Sequence, residues 1–497
     1  MTSPATPAVP LPYGMKGIAI RGGLVVGLSQ AVRICTQVVS MVVLSRLLVP
    51  GDFGLIAALA PVISFIAMVQ GLGLQQAIIR QHDLPAEQLT RIFWLTLTAS
   101  LVCAGLVVAA SPAVAAFYRD QRLLWLTVVA AVPLVLTSLA SLPAALLSRE
   151  LRFATIALID GSCAVVGVLV AVIAALLGAG YWSLLAATFA GSTLSLLASW
   201  VASGWLPGPP SLRLPDRALL GFGANLSGFT LVNFFSRNLD NVLIGRVWGA
   251  IDLGYYDRAY TLMLYPLQAI IGPVSGVMVP LLSRIEADKP QLRSVYLRTI
   301  GQIVLLTVPG MAALASASDE VIGLLFGPHW QPVAPIFGWL GWAGLLQPLG
   351  SSTGWLYISQ GKMRAMFYYG LFGAFTIIGS FFAGLPWGAV GVAAGYTISE
   401  YLIRLPAMYW VIGKIGPVTT WDMVLLQAPL LAAATFTKLI HDLLLRNALG
   451  LQGVLLIATT ILLAYTLAAT GQALFPTGRA RLAESLDLLA QLAKLRR

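Results

Sequence analysis

Long apolar runs, broken by short clusters of proline, glycine and charge, recur along almost the whole chain. Many are 18 to 25 residues long, the length a helix needs to cross roughly 30 Å of hydrocarbon at about 1.5 Å per residue. They predict fourteen spans. The first six cover about 22–49, 53–79, 92–110, 123–147, 154–177 and 181–203. Six more follow at about 218–247, 254–282, 299–317, 332–358, 366–385 and 388–412, and a last two at 421–440 and 451–472. The ten-residue alternation of a membrane β-barrel is missing from this pattern, so the expected class is an all-α polytopic membrane protein. Beyond the last span, Leu482, Leu486, Leu489 and Ala493 repeat at helical spacing between basic ends. That stretch reads either as an interfacial amphipathic helix or as a solvated coil.

Composition agrees with the pattern. Hydrophobic residues make up 58% of 497 and charged residues only 10%, with a mean hydropathy of +0.86. The positions of the 30 Lys and Arg fix the expected direction. With the N-terminus inside, the cytoplasmic segments hold 20 of them, and the outer segments hold only Arg119, Arg122, Lys438 and Arg446. Cationic loops stay on the cytoplasmic side, so both termini are expected there. The net charge of +11 is then explained by a basic inner face near anionic lipid, and no nucleic-acid partner is implied. The Pro-rich start lacks the charged head, apolar core and small-residue site of a cleaved signal peptide. Cys35, Cys103 and Cys163 are widely spaced and suggest neither a disulfide framework nor a metal site. His82, His329 and His441 are expected in loops, without metal-ligand spacing. No connection exceeds about fifteen residues, which leaves no room for a soluble catalytic domain.

Self-comparison reveals a repeat. "LSRLLVPGDFGLI" from Leu44 aligns with "IGRVWGAIDLGYY" from Ile244, so Arg46 meets Arg246, Asp52 meets Asp252 and Gly54 meets Gly254. The same offset carries Gln30, Arg33, Gln37 and Ser40 onto Thr230, Asn233, Arg237 and Asp240. Spacings of three and four put each quartet on one helix face, a polar stripe in an apolar shell. "FYRDQRLLWL" from Phe117 and "LLSRELRF" from Leu146 find weaker echoes in "FGPHWQPVAP" from Phe326 and "YISQGKMR" from Tyr357. The organisation this predicts is a cytoplasmic tail over 1–21, a six-span lobe over 22–203, a linker over 204–217 and a second six-span lobe over 218–415. A further pair of spans at 416–475 and an amphipathic tail at 476–497 complete it. Lobes with an even number of spans enter from the same side, as a parallel repeat about the membrane normal.

A charge at mid-bilayer costs about 2.5–3.5 kcal/mol, so each one needs a partner or water. Arg33, Arg46, Arg237 and Arg246, with Gln30, Gln37 and Asn233, are the candidates for lining a hydrated cationic cavity. Arg binds phosphate and pyrophosphate bidentately, which points to an anionic amphipathic cargo. Asp240, Glu400 and Asp160 are the candidates for ion coupling. Local explanations stay open: Arg237 and Asp240 could neutralise each other three residues apart, and Arg46, Arg246 and Arg258 could snorkel to headgroups. Glycines and prolines within spans, such as Gly71, Gly73, Pro266, Gly272 and Pro273, mark either bends or close helix packing.

"LVPGDFGLIAALAPVISFIAMVQGLGLQQAIIRQ", "IDLGYYDRAYTLMLYPLQAIIGPVSGVMVPLLSR" and "LLFGPHWQPVAPIFGWL" resemble the polysaccharide-transporter branch of the multidrug/oligosaccharidyl-lipid/polysaccharide flippase superfamily. The nearest likeness is to its Wzx-type lipopolysaccharide and exopolysaccharide flippases. The resemblance implies two six-helix lobes around a cationic cavity and alternating access. It also implies outward transfer of an undecaprenyl-pyrophosphate-linked oligosaccharide across a bacterial inner membrane, driven by cation antiport. No cofactor is implied; glycan polymerase and glycosyltransferases are the implied protein partners. Two other classes compete. A drug exporter of the same superfamily would carry cations, which the excess of Arg over acid in the spans opposes. A polyprenol-dependent membrane enzyme would need an outer catalytic loop or an acidic or histidine constellation.

Overall fold

The computed structural model describes residue 30 and residues 32–71, 85–210 and 238–495. Among them every regular element is helical, and ten stretches are long and apolar enough to cross a membrane. They group into two compact units.

The first unit comprises Met1–Leu47, Val62–Ala116 and Asp120–Gly228. Its helices are α1 (residues 32–47), the later part of α2 (Pro50–Gly71), most of α3 (Ala86–Tyr118), α4 (Arg122–Arg149), α5 (Phe153–Leu176) and α6 (Trp182–Ser203). Prolines lie inside several of these, and each removes an N–H that the carbonyl four residues back would have used. Side chains supply the missing donors. Opposite Pro112, the Ser111 hydroxyl donates to the Val108 carbonyl at 2.8 Å. Opposite Pro143, the Trp200 indole of α6 donates to the Leu139 carbonyl at 3.0 Å. Leu89, Ile92, Phe93, Leu142 and Ala145 form a core beneath Trp94, Trp200 and Trp205.

The second unit holds Leu48–Pro61, Phe117–Arg119 and Phe229–Arg497. It contains α7 (residues 238–247), α8 (Gly249–Arg284), α9 (Lys289–Ser316), α10 (Ser318–Leu325), α11 (Val333–Gly344), α12 (Gln347–Ser359) and α13 (Met363–Gly384). α14 (Gly388–Ser399) runs through a π turn, Glu400–Arg404, into α15 (Leu405–Ile415). α16 (Thr420–Ile440), α17 (Gly453–Ala473) and α18 (Pro476–Leu495) complete it. Tyr256, Tyr296, Phe337 and Trp330 are fully buried, and the Tyr296 hydroxyl pairs with Ser352 at 2.8 Å.

Several boundaries differ from the hydropathy reading for local reasons. The span expected at 332–358 is two helices, α11 and α12, divided beside Pro348. α9 starts at Lys289 rather than near 299, because Asp288 caps its polar first turn by accepting from the Gln291 amide at 2.9 Å. His441 is not in a loop: it opens a π turn, is buried, and its Nδ1 pairs with Thr460 at 2.9 Å. The tail is helical rather than a coil. Glu484 pairs with Arg298 and Ser485 donates to Gln302 at 2.5 Å. At Gly272 an added Cβ would meet nothing within 4 Å, so close packing does not explain that glycine.

Within the second unit the aligned segments of the internal repeat touch reciprocally. A Cβ at Gly54 would fall on the carbonyl of Ala250, and one at Gly254 on the carbonyl of Pro50. Gly51 faces Ile251 between them. Only glycine lets these two helix starts approach so closely.

Candidate functional site

In the first unit, α1 carries Arg33, exposed beside the exposed Val32 and Val38. Gln30 and Gln37 are half-buried on the same face. α5 carries Asp160, also exposed, and Arg33 is the opposite charge that acts on it. The two ionic side chains, 127 positions apart in the sequence, lie in the same unit within electrostatic reach of each other. Arg46 is exposed at the far end of α1.

In the second unit the charges are held more tightly. The Arg246 guanidinium lies 5.6 Å from the centre of the Phe117 ring, a cation–π contact. Asp240 is buried and hydrogen-bonded, accepting from the Asn241 amide at 2.9 Å and from the Tyr256 hydroxyl at 2.9 Å. Glu400 and Arg404 form an ion pair at 2.5 Å across the π turn. Arg404 also donates to the Tyr396 carbonyl at 2.9 Å and stacks 4.3 Å from that ring. Inserted π turns occur often at functional positions. Arg237 and Asn233 lie outside the described residues.

One charged pair was underrated by the sequence reading. Arg258, the tenth residue of α8, is held by neighbours on both sides of its guanidinium. Its guanidinium binds the Asp257 carboxylate at 2.6 Å and lies 4.3 Å from the Phe53 ring. Phe53 in turn packs edge-on against Trp330 at 5.3 Å. The signal available was adjacent opposite charge inside the aromatic stretch "YYDRAY". Among the described residues no group of three or more His, Cys, Asp or Glu is placed to hold a metal ion.

Residues 43–335 match the family model described as polysaccharide biosynthesis protein. The chain belongs to this family. Among its relatives is the lipopolysaccharide biosynthesis protein WzxC of Escherichia coli, 24% identical over 408 residues, covering 81% of this chain and 80% of WzxC. The succinoglycan biosynthesis transport protein ExoT of Rhizobium meliloti is 27% identical over 377 residues, or 75% of this chain and 76% of ExoT. In three dimensions this polysaccharide biosynthesis protein is similar to the lipid II flippase MurJ in an inward closed conformation. The TM-score is 0.70 at 13% identity, over 92% of this chain and 98% of MurJ. A MATE structure matches with a TM-score of 0.51 at 15% identity, over 79% and 96% of the two chains. At such identities the likeness speaks for the fold, and the expected transporter fold and family are both borne out.

Proposed function

We propose that this family member is a flippase. It moves an undecaprenyl-pyrophosphate-linked oligosaccharide repeat unit from the inner to the outer leaflet of a bacterial inner membrane, by alternating access between two six-helix lobes. Cation antiport drives it, both termini are cytoplasmic, and glycan polymerase and glycosyltransferases work beside it. The observation that carries the reading is the exposed Arg33 on the polar face of α1, with the exposed Asp160 of α5 within its electrostatic reach.

A planar guanidinium can grip a diphosphate through two parallel hydrogen bonds. A nearby carboxylate supplies a competing partner and keeps the grip reversible, which a carrier needs for release. Arg46, Arg237, Arg246, Gln30, Gln37 and Asn233 extend the proposed binding surface, and Arg258 joins them. Asp160, Asp240 and Glu400 remain the proposed coupling acids, and Asp160 is the most exposed of the three. The names of WzxC and ExoT support a polysaccharide precursor as cargo.

The experiment is export complementation in a strain lacking its own flippase, with Arg33→Ala, Arg33→Lys and Arg237→Ala. Loss of surface polysaccharide in the alanine variants at normal protein level, with at best partial recovery by lysine, is expected. Full export by both alanine variants rejects the cationic site.

A further inference from the structure

α13 and α14 meet backbone to backbone. A Cβ at Gly384 would fall on the Gly391 carbonyl, one at Gly391 on the Gly384 carbonyl, and one at Gly395 on the Ser380 carbonyl. Two helices so close have no side chains between them to fill the angle where they diverge. The result is a lateral groove of about 990 Å³, walled by Phe372, Phe375, Trp387, Ile398, Leu402 and Ile403. Its three hydroxyls are all committed to their own helices. Thr376 donates to the Phe372 carbonyl at 2.8 Å, Ser380 to Ile377 at 2.7 Å and Ser399 to Tyr396 at 2.8 Å. The groove therefore offers a ligand only apolar surface, and both of its helices belong to a membrane-spanning stretch.

The helical register continues each wall to a cation. On α13 the sequence of residues four or three apart runs from Gly379 through Phe375, Phe372 and Tyr368 to Arg364. On the other side the π turn Glu400–Arg404 adds a residue to the turn, so the wall passes from Ile398 to Ile403 and on through Ala407 and Trp410 to Lys414, with Ile398, Ile403, Trp410 and Lys414 exposed. Lys414 lies 3.8 Å from the Trp410 ring centre. Lys362, next to them, donates to the Ile415 carbonyl at 2.7 Å. Among the described residues none of these three cations is paired with a carboxylate. The distance from Arg364 to the level of Phe372 is about 12 Å along the helix axis. An uncompensated positive cluster below a purely apolar channel is the complement of an anionic head on a long hydrocarbon chain.

We propose that this groove is the docking track for the isoprenoid chain of the lipid-linked cargo, with its diphosphate held at Arg364 and Lys414 before the head enters the transport path. The inference rests on the flippase reading. A chain of that length cannot leave hydrocarbon while its polar head crosses, so the protein must offer it an outward-facing apolar seat.

The test uses the full-length protein in nanodiscs, a diazirine-bearing polyprenyl diphosphate and a diazirine-bearing phosphatidylglycerol, with labelled peptides mapped by mass spectrometry. Gly379→Leu fills the groove at a position where an added Cβ meets nothing within 4 Å, so the variant is expected to fold. The expected result is labelling of peptides within 372–403 by the polyprenyl probe, reduced at least fivefold by Gly379→Leu and by Arg364→Ala/Lys414→Ala. Unlabelled polyprenyl diphosphate should compete. Equal labelling by the phosphatidylglycerol probe, or polyprenyl labelling that ignores Gly379→Leu, overturns the groove while leaving the flippase reading standing. No capture of the polyprenyl probe anywhere on the wild-type protein overturns both.

Discussion

Gly54 and Gly254 lie against each other's helices, each beneath the other segment's backbone: Gly54 on the Ala250 carbonyl and Gly254 on the Pro50 carbonyl. The pair aligned by the internal sequence match is therefore also paired in space. Gly54→Ala and Gly254→Ala should each force the crossing apart, at a cost of about 1–3 kcal/mol. Both melting midpoints in detergent should fall, and the double variant should fall by less than the sum, because one separation accommodates both methyl groups. Gly272→Ala, with open space around it in the middle of α8, serves as the control and should melt no lower than the wild type.

The exposed Arg33 is expected to bind cargo directly. Losing a charge-assisted hydrogen bond should weaken retention of a polyprenyl diphosphate by roughly tenfold or more in Arg33→Ala. Asp160→Asn should do the opposite and bind more tightly, since the competing carboxylate is gone, while turning over more slowly. Binding isotherms on the purified protein beside export rates in cells would reveal this split; parallel losses in both variants would count against Asp160 as the counter-charge.

Glu400 and Arg404 are both mostly buried, with side-chain exposures of 16% and 6%. Removing one partner strands the other, so Arg404→Leu alone should destabilise by about 3–5 kcal/mol, and the apolar double variant Glu400→Met/Arg404→Leu should recover most of that. A stabilised double variant that has lost its response to the ion gradient would keep Glu400 among the coupling acids. One that still responds would leave the pair a purely structural strut.

Arg258 should tolerate lysine poorly. Its guanidinium is shared between the Asp257 carboxylate and the Phe53 face, and an ammonium cannot serve both planes at once. Export by Arg258→Lys near wild-type level would remove Arg258 from the proposed binding surface.

Trp200→Phe removes the donor to the Leu139 carbonyl that Pro143 leaves open, which should cost about 1 kcal/mol or more. In a Pro143→Ala background the helix supplies its own N–H, and the same substitution should cost clearly less. Thermal melts of the four proteins close the cycle.

The chain's hydropathy was enough to set its class, most of its spans and, through matched segments, its family. Those properties are written locally: a run must be about 20 residues long to cross a bilayer, and a helix shows its faces at every third and fourth position. The polar face of α1 was legible for the same reason, and so was the four-residue spacing of Glu400 and Arg404. Packing decided the rest. Nothing near Arg33 in the sequence announces Asp160, and nothing near Arg258 announces Phe53, because which helix faces which depends on crossings such as Gly54 on Ala250. Whether a further ring or charge meets an arginine, as Phe53 meets Arg258 and Phe117 meets Arg246, depends on neighbours more than a hundred residues away, and their coming together is what the tertiary structure alone decides.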